Sequence, residues 1–295
     1  MNYAARLFVA LQWLLPKHRL SSLLGCLTRI EGGIATRLTI QAFVRFYGVD
    51  MRDAAEPKPA AYTSFNAFFT RALRADARPM PDDTTSFVCP ADGTLSEFGS
   101  LAPDRLVQAK GIEYSLLDLF DGDTALAAMF DGGVFATIYL APYNYHRVHM
   151  PCNATTRLLR HVPGELFSVN AVTAQGVARL FCRNERMITL FEVGPHKLAM
   201  IMVGALNVGS IELVLPIDKP ARNRPHPNLP PRVSLAQDGP SLTRGAEFGR
   251  FNMGSTVIVT ASRGWLAWQD NLRSGLPVRL GEALARDVTA DHDRR

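Results

Sequence analysis

Cysteine is scarce in this chain. There are four in 295 residues, Cys26, Cys89, Cys152 and Cys182, and no two form a Cys-x-x-Cys pair. That spacing argues against a zinc knuckle and reads as buried thiols in a reducing compartment. Long apolar runs are lacking as well. The segment Leu7-Phe8-Val9-Ala10-Leu11-Gln12-Trp13-Leu14-Leu15 is too short to cross a bilayer, carries Gln12 in its middle and stops at Pro16. Pro16-Lys17-His18-Arg19 follows where a secretory signal would need small residues for cleavage. No basic run is interleaved with aromatics, and the net charge of +5 is too small to argue for nucleic acid. That modest excess does suit a surface meeting anionic lipid. No internal repeat is visible.

What is present divides by texture. Apolar segments at helical spacing cover Leu7–Leu15, Leu20–Ile30 and Ile34–Tyr47, punctuated by Arg6, Lys17, Arg19, Arg29, Arg37 and Arg45. With Trp13 they read as helices lying in a membrane interface, or as a helical subdomain packed on a core. Residues 51–82 read as linker and surface helix, with Ser64 capping a short amphipathic helix at Phe65. From Phe87 onward short β-branched runs alternate with Gly and Pro. Strands are expected at Gly133–Leu140, Met187–Phe191, Lys197–Val203, Ser210–Leu215 and Thr256–Thr260. Pro216 to Arg232 reads as a loop, Leu280–Val288 as a last short helix and Thr289–Arg295 as a frayed polar tail. The expected fold is α+β: a helical membrane-docking unit with its linker over 1–82, then a mostly antiparallel β-rich catalytic domain over 83–295.

Three stretches hold most of the reactive inventory. Gly254-Ser255 is a small, sharp turn running straight into a β-branched strand. Gly254 has no side chain to shield its carbonyl, and a serine hydroxyl that attacks the preceding carbonyl converts a peptide bond into an ester. Asp92 follows Pro90-Ala91 on a turn. His146 and His149 lie three apart in Tyr145-His146-Arg147-Val148-His149-Met150-Pro151. In an extended segment the two imidazoles face opposite sides; in a curled one they share a pocket. A nucleophilic serine needs a base, and the base an orienting carboxylate. Ser255, His149 and Asp92 supply one of each.

Taken together, Pro90-Ala91-Asp92-Gly93, Tyr145 through Pro151 and Phe251-x-x-Gly254-Ser255-Thr256 resemble the bacterial, membrane-bound phosphatidylserine decarboxylases. Gln108-Ala109-Lys110-Gly111, Val162 through Asn170, Arg183-Asn184-Glu185-Arg186 and Val203-Gly204-Ala205 read as that family reads. Met253 stands where the family usually has Leu, a swap of similar volume. Nothing in Pro216–Arg232 matches a motif, so no residue there inherits a role.

The resemblance implies a zymogen that cuts itself. His149, oriented by Asp92, takes the proton from Ser255, and the Ser255 oxygen attacks the Gly254 carbonyl. Elimination and hydrolysis then leave a pyruvoyl group at position 255, as covalent cofactor without a metal. The chain becomes a heterodimer of 1–254 and 255–295. The pyruvoyl ketone forms a Schiff base with phosphatidylserine in an anionic bilayer and acts as electron sink while CO2 leaves. His146 is the candidate acid that protonates the former α-carbon, because a histidine titrates near the working pH. The product is phosphatidylethanolamine. The implied location is peripheral, on the cytoplasmic side of the cell membrane.

Other chemistries fit parts of the inventory. A membrane-surface serine hydrolase could use Asp92, His149 and Ser255 without self-cleavage, although Ser255 is not in a Gly-x-Ser-x-Gly elbow. A metal hydrolase could use His146, His149 and Asp92, although no Glu is placed as in His-Glu-x-x-His. A non-catalytic membrane-surface module would be indifferent to Ser255.

Overall fold

The computed structural model describes residues 2–101, 105–109, 112–206, 211–215, 233–234, 239–252 and 255–289, the pair 233–234 by backbone alone. Lys110, Gly111, Met253, Gly254, the Pro216–Arg232 loop and residues 290–295 lie outside the described residues.

Three helices open the chain: α1 (Tyr3–Leu14), α2 (Lys17–Thr28) and α3 (Gly33–Tyr47). Asn2 caps α1 by accepting the Ala5 N–H at 2.9 Å, and Pro16 stops it. α3 ends at Gly48 in the left-handed conformation, φ 62°. Gln12, the polar break in the first apolar run, is buried and docks α1 onto the rest of the protein. Its Oε1 accepts the Ser168 N–H at 2.8 Å and its Nε2 donates to Thr173 Oγ1 at 3.2 Å. The outward face of α1 stays apolar: Tyr3, Leu7, Leu11 and Leu14 are exposed at helical spacing, as are Leu23 and Leu27 on α2 and Ile34 and Leu38 on α3. No helix among the described residues is long and apolar enough to cross a membrane.

Ser64 caps α4 (Phe65–Phe69), accepting the Ala67 N–H at 3.1 Å, as its residue type demands. The helix is not a surface one. Phe65, Phe68 and Phe69 are buried with Ile40 in a small aromatic core, because three phenylalanines in five residues leave no polar face.

The β body comprises β1 (Ser86–Val88), β2 (Gly93–Ser100), β3 (Arg105–Ala109), β4 (Ile112–Ser115), β5 (Val134–Leu140), β6 (Arg147–His149), β7 (Ala154–Val162), β8 (Arg186–Val193) and β9 (His196–Val203). It continues with β10 (Ile211–Leu213), β11 (Val233–Ser234), β12 (Ser241–Leu242), β13 (Glu247–Phe251), β14 (Ser255–Ala261), β15 (Leu266–Trp268), β16 (Leu276–Val278) and β17 (Ala283–Asp287). Short helices α5 (Leu116–Leu119), α6 (Thr124–Ala128), α7 (Ala171–Gly176) and α8 (Leu180–Arg183) fill one side. The named strands described pair antiparallel throughout.

The principal sheet runs β11-β7-β8-β9-β14-β5-β2-β16, with β12 also on β7. β14 therefore lies in the middle, although it comes late in the chain. Its residues alternate between two cores: Ile258 packs with Phe120, Phe130 and Phe181, whereas Val257 and Val259 pack with Phe87, Phe191 and Trp265. A strand covered on both faces reads as an unbroken buried run, which is how Ser255–Ala261 behaves.

The segment Leu280–Val288 is not a helix. Ala283–Asp287 forms β17, flanked by β1 and β15, and Trp265 Nε1 donates to Asp287 at 3.0 Å. Ala, Leu, Glu and Arg favour helix locally, but two open strand edges and the buried Leu284 and Ala285 outweigh that preference.

Candidate active site

β14 sets the position of Ser255. The residue pairs with Leu140 at the end of β5 and is 0% exposed. Its Oγ has no hydrogen-bond partner among the described residues. Thr256 and Thr260 on the same strand also carry buried hydroxyls without a partner among the described residues, so what distinguishes Ser255 is its place at the head of the strand, directly after Gly254.

Beyond Leu140 the chain turns through Pro142–Asn144, fixed by Asn144 Oδ1 accepting the Ala141 N–H at 2.8 Å. The turn delivers His146 to the interior. His146 is fully buried, and its ring lies against Phe69 with centroids 4.0 Å apart. Its Nδ1 donates to the Asn144 carbonyl at 2.9 Å, which leaves Nε2 as the lone-pair nitrogen, unpartnered among the described residues. Burial, then the neighbouring Arg71 charge, pushes His146 down to about 3. Burial therefore favours the neutral imidazole over the charged one, away from the free value on which the expectation of a titrating His146 rests.

His149 closes β6, opposite Glu247 on β13. Its backbone N–H donates to the Pro90 carbonyl at 2.8 Å, which brings the Pro90-Ala91-Asp92 turn alongside. Nδ1 donates to the Gly245 carbonyl at 2.8 Å, so Nε2 is the acceptor and takes the Tyr145 hydroxyl at 2.9 Å. Burial lowers the His149 pKa, against the Gly245 carbonyl and Glu247, which raise it. The two imidazoles thus have separate neighbours: His146 meets Phe69 and Asn144, and His149 meets Tyr145 and Gly245.

Asp92 is buried but does not hydrogen-bond His149. Arg78 takes both its oxygens, Nε to Oδ1 at 3.0 Å and Nη2 to Oδ2 at 2.5 Å, and the Leu280 N–H donates to Oδ1 at 2.9 Å. Arg78 is itself braced by Asp53 at 2.7 Å. The residue after Asp92 must be small: a Cβ on Gly93 would lie 2.5 Å from the Tyr139 carbonyl oxygen of β5.

The structure therefore ties the Asp92 turn to His149 through backbone and leaves Ser255 and His146 as buried groups with polar atoms unpartnered among the described residues. Gly254 lies outside the described residues. Arg78 and Tyr145 are contacts that sequence reasoning missed. Tyr145 sat unassigned beside His146, and nothing in Ala75–Asp83 marks Arg78 as a partner of Asp92.

The structure thus presents a buried serine at the head of a central strand, one buried and one partly buried histidine and a clamped carboxylate inside an antiparallel β body. The comparisons are more specific. The family model described as phosphatidylserine decarboxylase matches residues 65–286, and a second, described as PSD, matches residues 7–48. The chain is 45% identical over 281 residues to the phosphatidylserine decarboxylase proenzyme of Nitrosococcus oceani, covering 95% of this chain and 90% of the relative. It is 46% identical over 291 residues to that of Bordetella petrii, covering 97% and 99%. It is 45% identical over 291 residues to that of Pseudomonas aeruginosa, covering 97% and 98%. The chain belongs to the phosphatidylserine decarboxylase family.

Proposed function

We infer that this chain is a phosphatidylserine decarboxylase made as a proenzyme, which cuts itself between Gly254 and Ser255. Ser255 carries the inference: a fully buried hydroxyl with no described partner heads the central strand, in a family whose relatives are named proenzymes.

In the cut, the Ser255 oxygen forms an ester with the Gly254 carbonyl as the peptide C–N bond breaks. Elimination frees the Gly254 carboxylate and leaves a dehydroalanine, which takes up water and releases ammonia to become a pyruvoyl group. His149 is the base. With Nδ1–H committed to Gly245, only Nε2 can accept a proton, so the Tyr145 hydroxyl either swings off or relays it. Asp92 acts through its charge, which favours the imidazolium.

Position 255 suits that group, since it is fully buried and no described side chain is hydrogen-bonded to the oxygen there. The ketone supplies an electron sink for the pair left when the substrate carboxylate departs as CO2. His146 enters neutral. The substrate carboxylate would bring a negative charge that favours the imidazolium, so Nε2 would take up a proton with substrate bound and pass it to the carbon that lost CO2.

The exposed apolar stripes of α1 to α3 support peripheral attachment to a bilayer that holds the lipid substrate, and the side proposed is the cytoplasmic one. In this reading residues 1–82 form the membrane-associating region and 83–295 the catalytic domain, with Arg78 reaching across to Asp92. The large and small chains stay together as a heterodimer.

Intact mass under denaturing conditions tests this. Two fragments split after Gly254, the small one lighter by ammonia than its hydrolysis mass, are expected. Ser255→Ala should stay whole and inactive. A single full-length mass from active protein would reject the reading in favour of a serine hydrolase that is never cut. His146→Ala should be cut normally yet decarboxylate poorly.

A further inference from the structure

Arg71 follows α4 by two residues and is 4% exposed. Its Nη2 donates to the Tyr143 and Asn144 carbonyls at 3.3 and 3.5 Å, and its guanidinium lies over the Phe68 ring. Nε and Nη1 are buried and have no hydrogen-bond partner among the described residues. Arginine keeps its charge at any working pH. A buried, always-charged fork with two idle donors is expensive to keep, and ordinary folds pair it with a carboxylate.

Other arginines about the site are paired. Arg78 holds Asp92 and Asp53, Arg147 holds Glu247 at 2.8 Å, and Arg250 lies 3.4 Å from Glu247. Arg71 has no ion pair among the described residues. The carbonyl of Asn144 accepts from both Arg71 Nη2 and His146 Nδ1, so the two side chains share one anchor. The same turn leads back to Leu140, which pairs with Ser255. Arg71 and His146, each with a polar atom unpartnered among the described residues, thus share one anchor on the segment that runs back to the strand partner of Ser255.

We propose that Arg71 is the anion subsite of this active site: its Nε and Nη1 hold an oxyanion of the substrate head group while His146 handles the proton. The proposal rests on the decarboxylase reading above. A serine phospholipid carries two such oxyanions, the α-carboxylate and the phosphodiester, and a planar fork recognises either.

Two soluble variants and two amine probes test it. Arg71→Gln removes the charge, and Arg71→Lys keeps it as a point. The probes are L-serine, which has the carboxylate but no phosphodiester, and phosphatidylethanolamine in nonionic micelles, which has the phosphodiester but no carboxylate. Each is trapped on the processed enzyme with cyanoborohydride, and the small-chain mass is followed against probe concentration. Both variants should be cut as fully as the wild type, because the subsite acts after cleavage. Arg71→Gln should raise the half-saturating concentration of one probe by roughly tenfold or more, the effect of losing one charge-assisted hydrogen bond, and Arg71→Lys should restore part of it. A shift for serine alone assigns the carboxylate; a shift for phosphatidylethanolamine alone assigns the phosphodiester. Saturation within twofold of wild type for both probes would overturn the proposal. Failure of both variants to be cut would overturn it too, by making Arg71 a structural brace of the turn. A wild-type protein that traps neither probe would instead break the pyruvoyl reading, and the subsite would fall with it.

Discussion

Arg78 closes on Asp92 in a two-pronged grip, so the carboxylate expected to orient His149 is spent on an arginine and not on the imidazole. Both side chains are largely buried, and the Leu280 N–H takes a further share of Oδ1. Removing one partner of such a pair strands a charge in the interior, at a cost of about 3–5 kcal/mol. Arg78→Met should therefore lower stability by that order and slow or abolish the cut, because Asp92 loses its fixed place beside His149. Arg78→Lys, with one point donor where the fork had two, should fall between. Urea midpoints and the yield of small chain check both. Wild-type processing in Arg78→Met would show that the placement of Asp92 is irrelevant.

His146 gives the protein an acid limit. In the unfolded chain its pKa is near the free value of about 6.5, while burial holds the folded one down to about 3. As pH falls below about 6.5 the unfolded state takes a proton that the folded state refuses. Stability is therefore full above that pH and declines on the way down to about 3. The lowered His149 adds in the same direction. At pH 4.5 the His146 share is on the order of 2–3 kcal/mol. His146→Phe should shrink the drop in urea midpoint between pH 7 and 4.5 by about that amount, whatever it does to stability at pH 7. An unchanged drop would mean that His146 is not the group responsible.

The strands at the centre of the sheet were legible because Val257-Ile258-Val259 is an apolar, β-branched run and its neighbours β5 and β9 are largely apolar, with few other ways to be buried. β17 was not, because its helix-favouring residues take their conformation from edges supplied by residues 86–88 and 266–268. Gln12 reads in the sequence as a flaw in an apolar run; only the body it docks against gives it a purpose. The four candidate residues were visible by type and local motif. Their partners were not: Arg78 and Arg71 come from a stretch without periodicity, and a single sequence carries no signal for a contact that depends on how a turn closes.

The apolar stripe of α1 gives a membrane prediction. Leu7 and Leu11 are about half exposed, so replacing them costs the fold little. Leu7→Asp with Leu11→Asp removes two apolar anchors, each worth on the order of 1 kcal/mol, and adds charge that an anionic surface repels. Sedimentation with phosphatidylglycerol vesicles should show at least roughly tenfold weaker binding, with small-chain yield unchanged. Equal binding would move the lipid contact off α1.

On the proposed self-cleavage, the position of β14 predicts how the two chains would behave after the cut. Residues 255–289 supply β14, β15, β16 and β17, which are spread over two sheets. β14 lies between β5 and β9, from Ser255 opposite Leu140 to Ala261 opposite Leu198, and β16 and β17 pair with β2 and β1. Val257, Ile258, Val259, Trp265 and Leu284 are buried in cores built mostly by the large chain. At about 1.5–3 kcal/mol for each buried side chain, they alone contribute on the order of 10 kcal/mol. Breaking the Gly254–Ser255 bond removes none of these contacts. The small chain should co-elute with the large one on native size exclusion down to nanomolar concentration and separate only in denaturant. Release of the small chain by dilution would mean that the central ladder does not hold it.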